Sequence, residues 1–235
     1  MLIFLDIETI PSQRPGAADL VKATIKPPAT LKKPESIAAW WATDAAEAAG
    51  EAYLKQALDG GSRGEIVSIA ATNGDGLEWV QCRGQGDSEA ALLQAFFDAV
   101  EGWQVKESKQ WPHTFPPDDH TAVAHNAAFD LGFLYRRAVV HGVRLPRWLR
   151  NAGPMGRAGQ HYKCTMLAWA GFGKFVRLSE LCDVLALPNP KDGMDGAGVY
   201  DAWLAGQREA IAAYNLQDAQ AVASIWHKLQ AVGAV

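Results

Sequence analysis

The sequence predicts an α/β fold, one mixed sheet covered by helices. Three observations lead there. Strand-like segments follow one another through residues 2–82, strand then alternates with helix, and the remainder is mostly helical in its periodicity. The chain has 235 residues, 49% of them hydrophobic, enough to bury a large core without disulfides or a structural metal. No repeat or low-complexity linker divides it, so a single domain over residues 1–235 is expected.

Residues 2–7 are a short apolar run rich in Leu, Ile and Phe, the pattern of a buried strand. Pro11, Pro15, Pro27, Pro28 and Pro34, with several lysines among them, predict an irregular excursion over 11–35. An alanine-rich helical stretch from about Ser36 to Leu58 is closed by Gly60-Gly61. Glu65–Thr72 is the second strand, and Gly74-Asp75-Gly76 turns the chain into a third, Leu77–Cys82, completing a meander. Asp87 or Ser88 caps a helix to about Trp103, with Leu92, Leu93, Phe96, Phe97 and Val100 at helical spacing. An irregular proline-containing stretch then leads to a strand at Thr121–Ala124 and a helix from about Phe129 to His141. Further helices are expected near Cys164–Ala170, Leu178–Leu185, Val199–Leu204 and Arg208–Val232.

Composition narrows the function classes. With 20% charged residues and a net charge of −4, the chain is neither disordered, collagen-like nor a supercharged tail. Taken at face value, the acidity argues against a polyanionic partner. Cys82, Cys164 and Cys182 are sparse and unpaired by spacing, as in reduced cytosolic proteins. Asp6 and Glu8 interrupt the apolar N-terminus, no basic segment precedes it, and no apolar run reaches the ~20 residues that cross a bilayer. A cytoplasmic protein without membrane association is expected. His113, His120 and His125 lack cysteine partners and zinc-ligand spacing. Gly60–Gly64 lacks the lysine and hydroxyl of a phosphate-binding loop.

Three segments carry carboxylates where packing explains them poorly. Asp6 and Glu8 are two apart on a strand and therefore share a face, opposite Leu5 and Ile7. Either the strand surfaces there, or the pair binds hard divalent cations such as Mg²⁺ or Mn²⁺. Asp130 falls in the first turn of its helix, where the dipole favours an acid, yet it lies three and four residues before Phe133 and Leu134. Asn126 suits a helix cap, and His125 a partner at the sheet edge. Asp218 interrupts the stripe Ile211, Tyr214, Val222, Ile225, Leu229, while Glu209, Gln220 and His227 occupy the other side. A carboxylate centred on an apolar stripe must be paired, with an arginine for example, or bind metal. The i,i+4 spacing sets the Tyr214 hydroxyl beside it.

In this order the segments resemble the DEDD superfamily of 3′–5′ exonucleases, whose fold is RNase H-like: an α/β fold with a mixed five-stranded sheet and helices on both faces. Asp6-Ile7-Glu8-Thr9 matches the DxE motif, and Asn126-Ala127-Ala128-Phe129-Asp130 matches NxxFD. Tyr214, four before Asp218, matches the tyrosine branch (DEDDy), since the histidine position of the other branch holds Ala213. Leu178-Ser179-Glu180-Leu181, Asp195-Gly196 and Val199 resemble stand-alone, phage-type members of that branch. The segment from about 11 to 64 departs from the minimal domain as an insert. The resemblance implies two divalent cations, Mg²⁺ or Mn²⁺, held by Asp6, Glu8, Asp130 and Asp218, with Tyr214 orienting the attacking water. It further implies that Thr9, Ile10, Asn126 and Phe129 hold the terminal nucleotide. A fold that binds nucleic acid without cleaving it is the alternative; the complete acid set and Tyr214 argue against that.

Between Leu131 and Ser179 stand nine basic residues and no acidic one. Tyr135, Trp148, Tyr162, Trp169, Phe172 and Phe175 interleave with them. Basic side chains hold phosphates and aromatic rings stack on bases. Arg144, Arg147 and Arg150 are the expected contacts to single-stranded nucleic acid, DNA favoured and RNA possible. Locally concentrated positive charge reconciles the acidic total with such a substrate.

Overall fold

Strand β1 (Leu2–Ile10) runs three residues beyond the apolar segment, because both of its faces find cover. The computed structural model describes residues 1–107, 120–189 and 194–235; His113 and the proline-containing stretch before Thr121 lie outside the described residues, apart from His120. Strands β2 (Glu65–Thr72) and β3 (Glu78–Cys82) form the expected meander with β1, pairing antiparallel in turn. Strand β4 (Thr121–Ala124) pairs parallel with β1 at Leu2, Ile3 and Phe4. A two-residue β5 (Lys163–Cys164), too short for the pattern to reveal, pairs parallel with β4. The order β3-β2-β1-β4-β5 is the mixed five-stranded sheet that an RNase H-like α/β fold requires.

The excursion over 11–35 is not wholly irregular. It holds α1 (Ala17–Thr24), whose Ala17 and Val21 are buried one turn apart between the flanking prolines. The alanine-rich stretch divides at Asp44 into α2 (Pro34–Thr43) and α3 (Ala45–Leu54), and continues as a 3₁₀ turn over Lys55–Leu58. Asp59 ends it by accepting the backbone N–H groups of Gly61, Ser62 and Arg63. Gly61 there has φ 88°, and Phe133 packs so closely that a Cβ would stand 3.0 Å from its ring. Then follow α4 (Glu89–Glu107), α5 (Ala127–His141) and α6 (Arg147–Ala152), the last unforeseen. Helices α7 (Thr165–Ala170), α8 (Leu178–Val184), α9 (Val199–Leu204) and α10 (Arg208–Ala231) lie where the periodicity predicts them.

Helices cover both faces of the sheet. The odd side chains of β1, Ile3, Leu5 and Ile7, join a core with Leu92, Leu93 and Phe96 of α4 and Leu131 of α5. The even side chains face α10: Phe4 packs with Val222 and Trp226, and Ile10 with Ile211 and Tyr214. The layer between the sheet and helices α4 and α5 also holds a buried ion pair. Arg137 of α5 donates through Nη2 to Glu89 Oε2 at 2.6 Å and through Nε to Oε1 at 2.9 Å. His141 Nε2 contacts Oε2 at 2.7 Å, and Ile66 N–H donates to Oε1. Arg137 therefore leaves the basic surface that the run 131–179 suggested. It is a structural cation 1% exposed, fastening α5 to α4 and β2.

Candidate functional site

Two periodicities meet between β1 and α10. Along β1 the even face reads Phe4, Asp6, Glu8, Ile10; along α10 the facing stripe reads Ile211, Tyr214, Asp218, Val222. Phe4 meets Val222 at one end and Ile10 meets Ile211 at the other, so the acids occupy the middle of an otherwise apolar seam. One carboxylate oxygen from each of Asp6, Glu8 and Asp218 lies within 4.8 Å of the others. Glu8, Asp218 and Tyr214 are buried, and Asp6 is half-buried. The Tyr214 hydroxyl donates a hydrogen bond to Asp218, as the i,i+4 spacing predicts.

Asp130 lies outside that 4.8 Å group, at the sheet edge, near enough to Asp6 and Asp218 for their charges to act on one another. Strand β4 ends at Ala124, and Asn126 turns the chain into α5 with φ 61°, ψ 43°, a left-handed conformation that asparagine tolerates better than most residues. The turn directs Asp130 at β1 beyond its last β4 partner. Its carboxylate accepts the backbone N–H of Ile7 as well as its own. The other oxygen, Oδ2, is buried and receives no hydrogen bond among the described residues. His125 is fixed beside this turn: its Nε2–H donates to the Val176 carbonyl at 2.8 Å, leaving Nδ1 to accept from the Thr165 hydroxyl at 2.9 Å. Burial holds its pKa below the ordinary imidazole value, consistent with a neutral structural ring.

The electrostatics record the crowding. Burial first, then the charges of Asp130, Asp218 and Glu8, push the Asp6 carboxyl well above the usual carboxylate range. Asp130 is pushed up to about 8, chiefly by burial, with Asp218 adding to it. Burial first, then the charges of Asp218, Glu8 and Asp6, raise the Tyr214 phenol, so it stays protonated and remains a donor. Like charges gathered in a poorly solvated seam call for a counter-charge. The donor set is carboxylate oxygen alone, which fits a hard divalent cation, and the unpartnered Asp130 Oδ2 fits it too.

Asn215 is a site residue that the sequence pattern did not single out. It is fully buried; its Nδ2 donates to Asp6 Oδ2 at 2.7 Å and its Oδ1 accepts from Ser68 Oγ at 2.8 Å. Ser68 lies directly across from Glu8 in the β1–β2 ladder. A carboxylate only accepts, so this chain fixes which way the amide faces and holds Asp6 in place. The only available signal was its position one residue after Tyr214.

Thr9 and Phe129 lie beside Glu8. With Glu8 they line a cavity of about 510 Å³, whose remaining walls include Leu54 and Leu58 of the insert and Tyr200 of α9. That volume is ordinary for a small-molecule site. The insert is fastened around it: the Thr9 hydroxyl donates to the Ala57 carbonyl at 2.6 Å, and the Tyr53 and Tyr200 hydroxyls approach to 3.5 Å. Ile10 requires a correction. It shares the acids' face by alternation, but α9 and α10 cover it completely, and its side chain belongs to the core with Val67 and Trp203. Asn126 contributes its backbone turn, and its side chain is half-buried without a described hydrogen bond.

Arg144, Arg147 and Arg150 are exposed. At 1.5 Å per residue, α5 carries the chain about 18 Å from Asp130 before Gly142 ends it, so Arg144 sits toward the opposite end of that helix. Arg147 and Arg150 are on α6. Arg136 is committed to the Gly60 carbonyl at 2.7 Å. No helix among the described residues is long and apolar enough to cross a membrane. A family model described as a predicted 3′–5′ exonuclease related to the exonuclease domain of PolB matches residues 53–234. The match contains Asp130, Tyr214 and Asp218, while Asp6 and Glu8 precede it on the strand that brings them together. No curated protein matches the chain.

Proposed function

The chain belongs to the family of predicted 3′–5′ exonucleases related to the exonuclease domain of PolB, and we propose that it is a metal-dependent exonuclease of the tyrosine branch, related to the stand-alone phage-type members. It would remove nucleoside monophosphates from the 3′ end of single-stranded nucleic acid, DNA in preference to RNA. The observation that carries this reading is the convergence of Asp6, Glu8 and Asp218 oxygens within 4.8 Å. Asp6, Glu8, Asp130 and Asp218 would hold Mg²⁺ or Mn²⁺, which when bound supplies Lewis-acid activation of water and charge stabilisation at phosphorus and the leaving oxygen. The whole chain acts as one exonuclease domain, with the insert as a wall of the substrate cavity.

The chain's own groups divide the remaining work. Water adds to phosphorus, the bond from phosphorus to the 3′ oxygen of the preceding nucleotide breaks, and that oxygen takes up a proton. Tyr214 stays protonated beside Asp218 and orients the attacking water by hydrogen bonding. Thr9 and Phe129 hold the terminal nucleoside in the cavity beside Glu8, and Asn126 sets the turn that aims Asp130. Arg144, Arg147 and Arg150 would meet phosphates of the strand well upstream of the cleaved bond. Incubation of 5′-labelled single-stranded DNA and RNA with Mg²⁺, Mn²⁺ or chelator tests the reading. A ladder shortening from the 3′ end only with metal is expected. Intact substrate under both metals, or cleavage indifferent to chelator, overturns it.

Asn215 supports Asp6 without touching the substrate, so its removal acts through the metal. Asn215→Ala is expected to raise the Mg²⁺ concentration for half-maximal activity by about 10- to 100-fold, the usual effect of losing an outer-shell partner. A metal titration checks it; an unchanged midpoint with a lower plateau would instead mark a purely structural residue.

A further inference from the structure

The connection from α7 to α8 has a composition that packing does not explain. Residues 171–177 read Gly-Phe-Gly-Lys-Phe-Val-Arg. Phe172 is 98% exposed and Phe175 72%, and Lys174 and Arg177 are exposed between and beyond them. Gly171 and Gly173, at φ 81° and 73°, hold left-handed conformations on either side of Phe172, and nothing among the described residues stands within 4 Å of where their Cβ atoms would lie. The turn projects its rings into open space. Two phenylalanines this exposed in one short loop are not an incidental surface feature.

The loop is rooted at the carboxylate site. Val176 is buried, and its carbonyl accepts the hydrogen bond from His125, the residue before the Asn126 turn that aims Asp130. The loop then enters α8, which packs against α10, the helix that carries Asp218. The C-terminal end of the loop is therefore anchored between the turn into α5 and α10, the helices that carry Asp130 and Asp218. No acidic residue occurs between Leu131 and Ser179; the first acid after the two cations is Glu180, in the first turn of α8.

We propose that the loop Gly171–Arg177 is a platform for the nucleic-acid strand behind its 3′ end, with bases stacking on Phe172 and Phe175 and phosphates meeting Lys174 and Arg177. This rests on the exonuclease reading for the identity of the ligand. Alternating aromatic and basic groups match the alternation of base and phosphate along a single strand, and every base offers a face to stack, so the platform tolerates any sequence. A duplex, its bases already stacked, gains nothing from the rings.

Fluorescence anisotropy of a labelled single-stranded 12-mer on the full chain, in chelator so that no turnover intervenes, provides the test. Phe172→Ala and Phe175→Ala are each expected to weaken binding roughly 5- to 150-fold. Phe172→Tyr should restore binding and Phe172→Leu should not, which separates stacking from apolar docking of a protein or membrane. Lys174→Ala with Arg177→Ala should flatten the slope of log affinity against log salt by about 0.7 per cation. Wild-type affinity in the phenylalanine-to-alanine variants, full binding by Phe172→Leu, or no single-strand binding by the unaltered chain overturns the platform. A chain that shortens strands while the alanine variants bind normally loses the platform and keeps the exonuclease. One that binds through the loop and shortens nothing keeps the platform and loses the exonuclease.

Discussion

Asp218→Asn is expected to reduce metal-dependent cleavage by about 10³-fold or more while making the metal-free protein more stable at neutral pH. On the proposed reading the loss exceeds the 10- to 100-fold typical of an outer-shell partner, because a metal ligand itself would be removed. The gain follows from the same crowding. Asp6 and Asp130 both have pKa values raised above the ordinary carboxylate range, by burial first and by neighbouring acids next, Asp218 among them. A carboxyl whose folded pKa is raised resists ionisation in the folded state. It therefore subtracts stability as pH rises through the unfolded value near 4, and the deficit grows until the folded value is passed, about 8 for Asp130. Asparagine keeps the shape and the hydrogen bond to Tyr214 and removes one of the repelling charges. Urea unfolding in chelator should show the variant ahead by at least about 1.4 kcal/mol at pH 8, the equivalent of one unit of relief. The advantage should shrink toward pH 4, where the acids are protonated with or without Asp218. Retained turnover would remove Asp218 from the site, and a variant less stable at pH 8 would mean that its charge is not the burden the geometry implies.

The parts of this site that were legible in the sequence are those written in a local period. Asp6 and Glu8 share a face because side chains on a strand alternate, and Asp218 interrupts a helical stripe whose apolar members pack as the spacing requires. Asn215 escaped because it lies about 100° around the helix from Tyr214. The apolar stripe covers one arc of the helix, whereas α10 is wrapped widely enough to bury Asn215, Ala219 and Trp226 as well. The resemblance puts Ile10 at the substrate, but although alternation sets it on the face of Glu8, the cover over that end of the strand comes from elements two hundred residues away. Arg137 looked like one more surface cation for a similar reason, since Glu89 lies 48 residues from it and no local pattern joins the two. The insert's part in the cavity depends on the Thr9–Ala57 and Tyr53–Tyr200 contacts, which composition cannot signal.

Arg137→Ala is the second change with a large expected effect, about 3–5 kcal/mol of lost stability, although it lies outside the carboxylate site. The argument turns on what remains behind. Glu89 is 5% exposed, and burial alone would raise its pKa; the hydrogen bonds and charge of Arg137, with those of Ile66 and His141, outweigh burial and hold it below the ordinary value. A lowered folded pKa adds stability that is present above the unfolded value near 4.5 and is lost as pH falls through the folded one. Without the guanidinium, Glu89 becomes a buried charge with far weaker compensation, so acid unfolding should begin at a higher pH in the variant. Replacing both partners by apolar residues of similar size, Glu89→Leu with Arg137→Met, should recover most of the loss, because no uncompensated charge is left. Equal destabilisation in the single and double variants would mean that packing, not charge, is what Arg137 contributes. The pair also bears on catalysis. It ties α5 to α4 and to β2, and α5 is the helix whose first turn presents Asp130 to the Ile7 N–H. At temperatures where Arg137→Ala remains folded, its Mg²⁺ requirement should therefore rise along with its instability, and the double variant should lower both together.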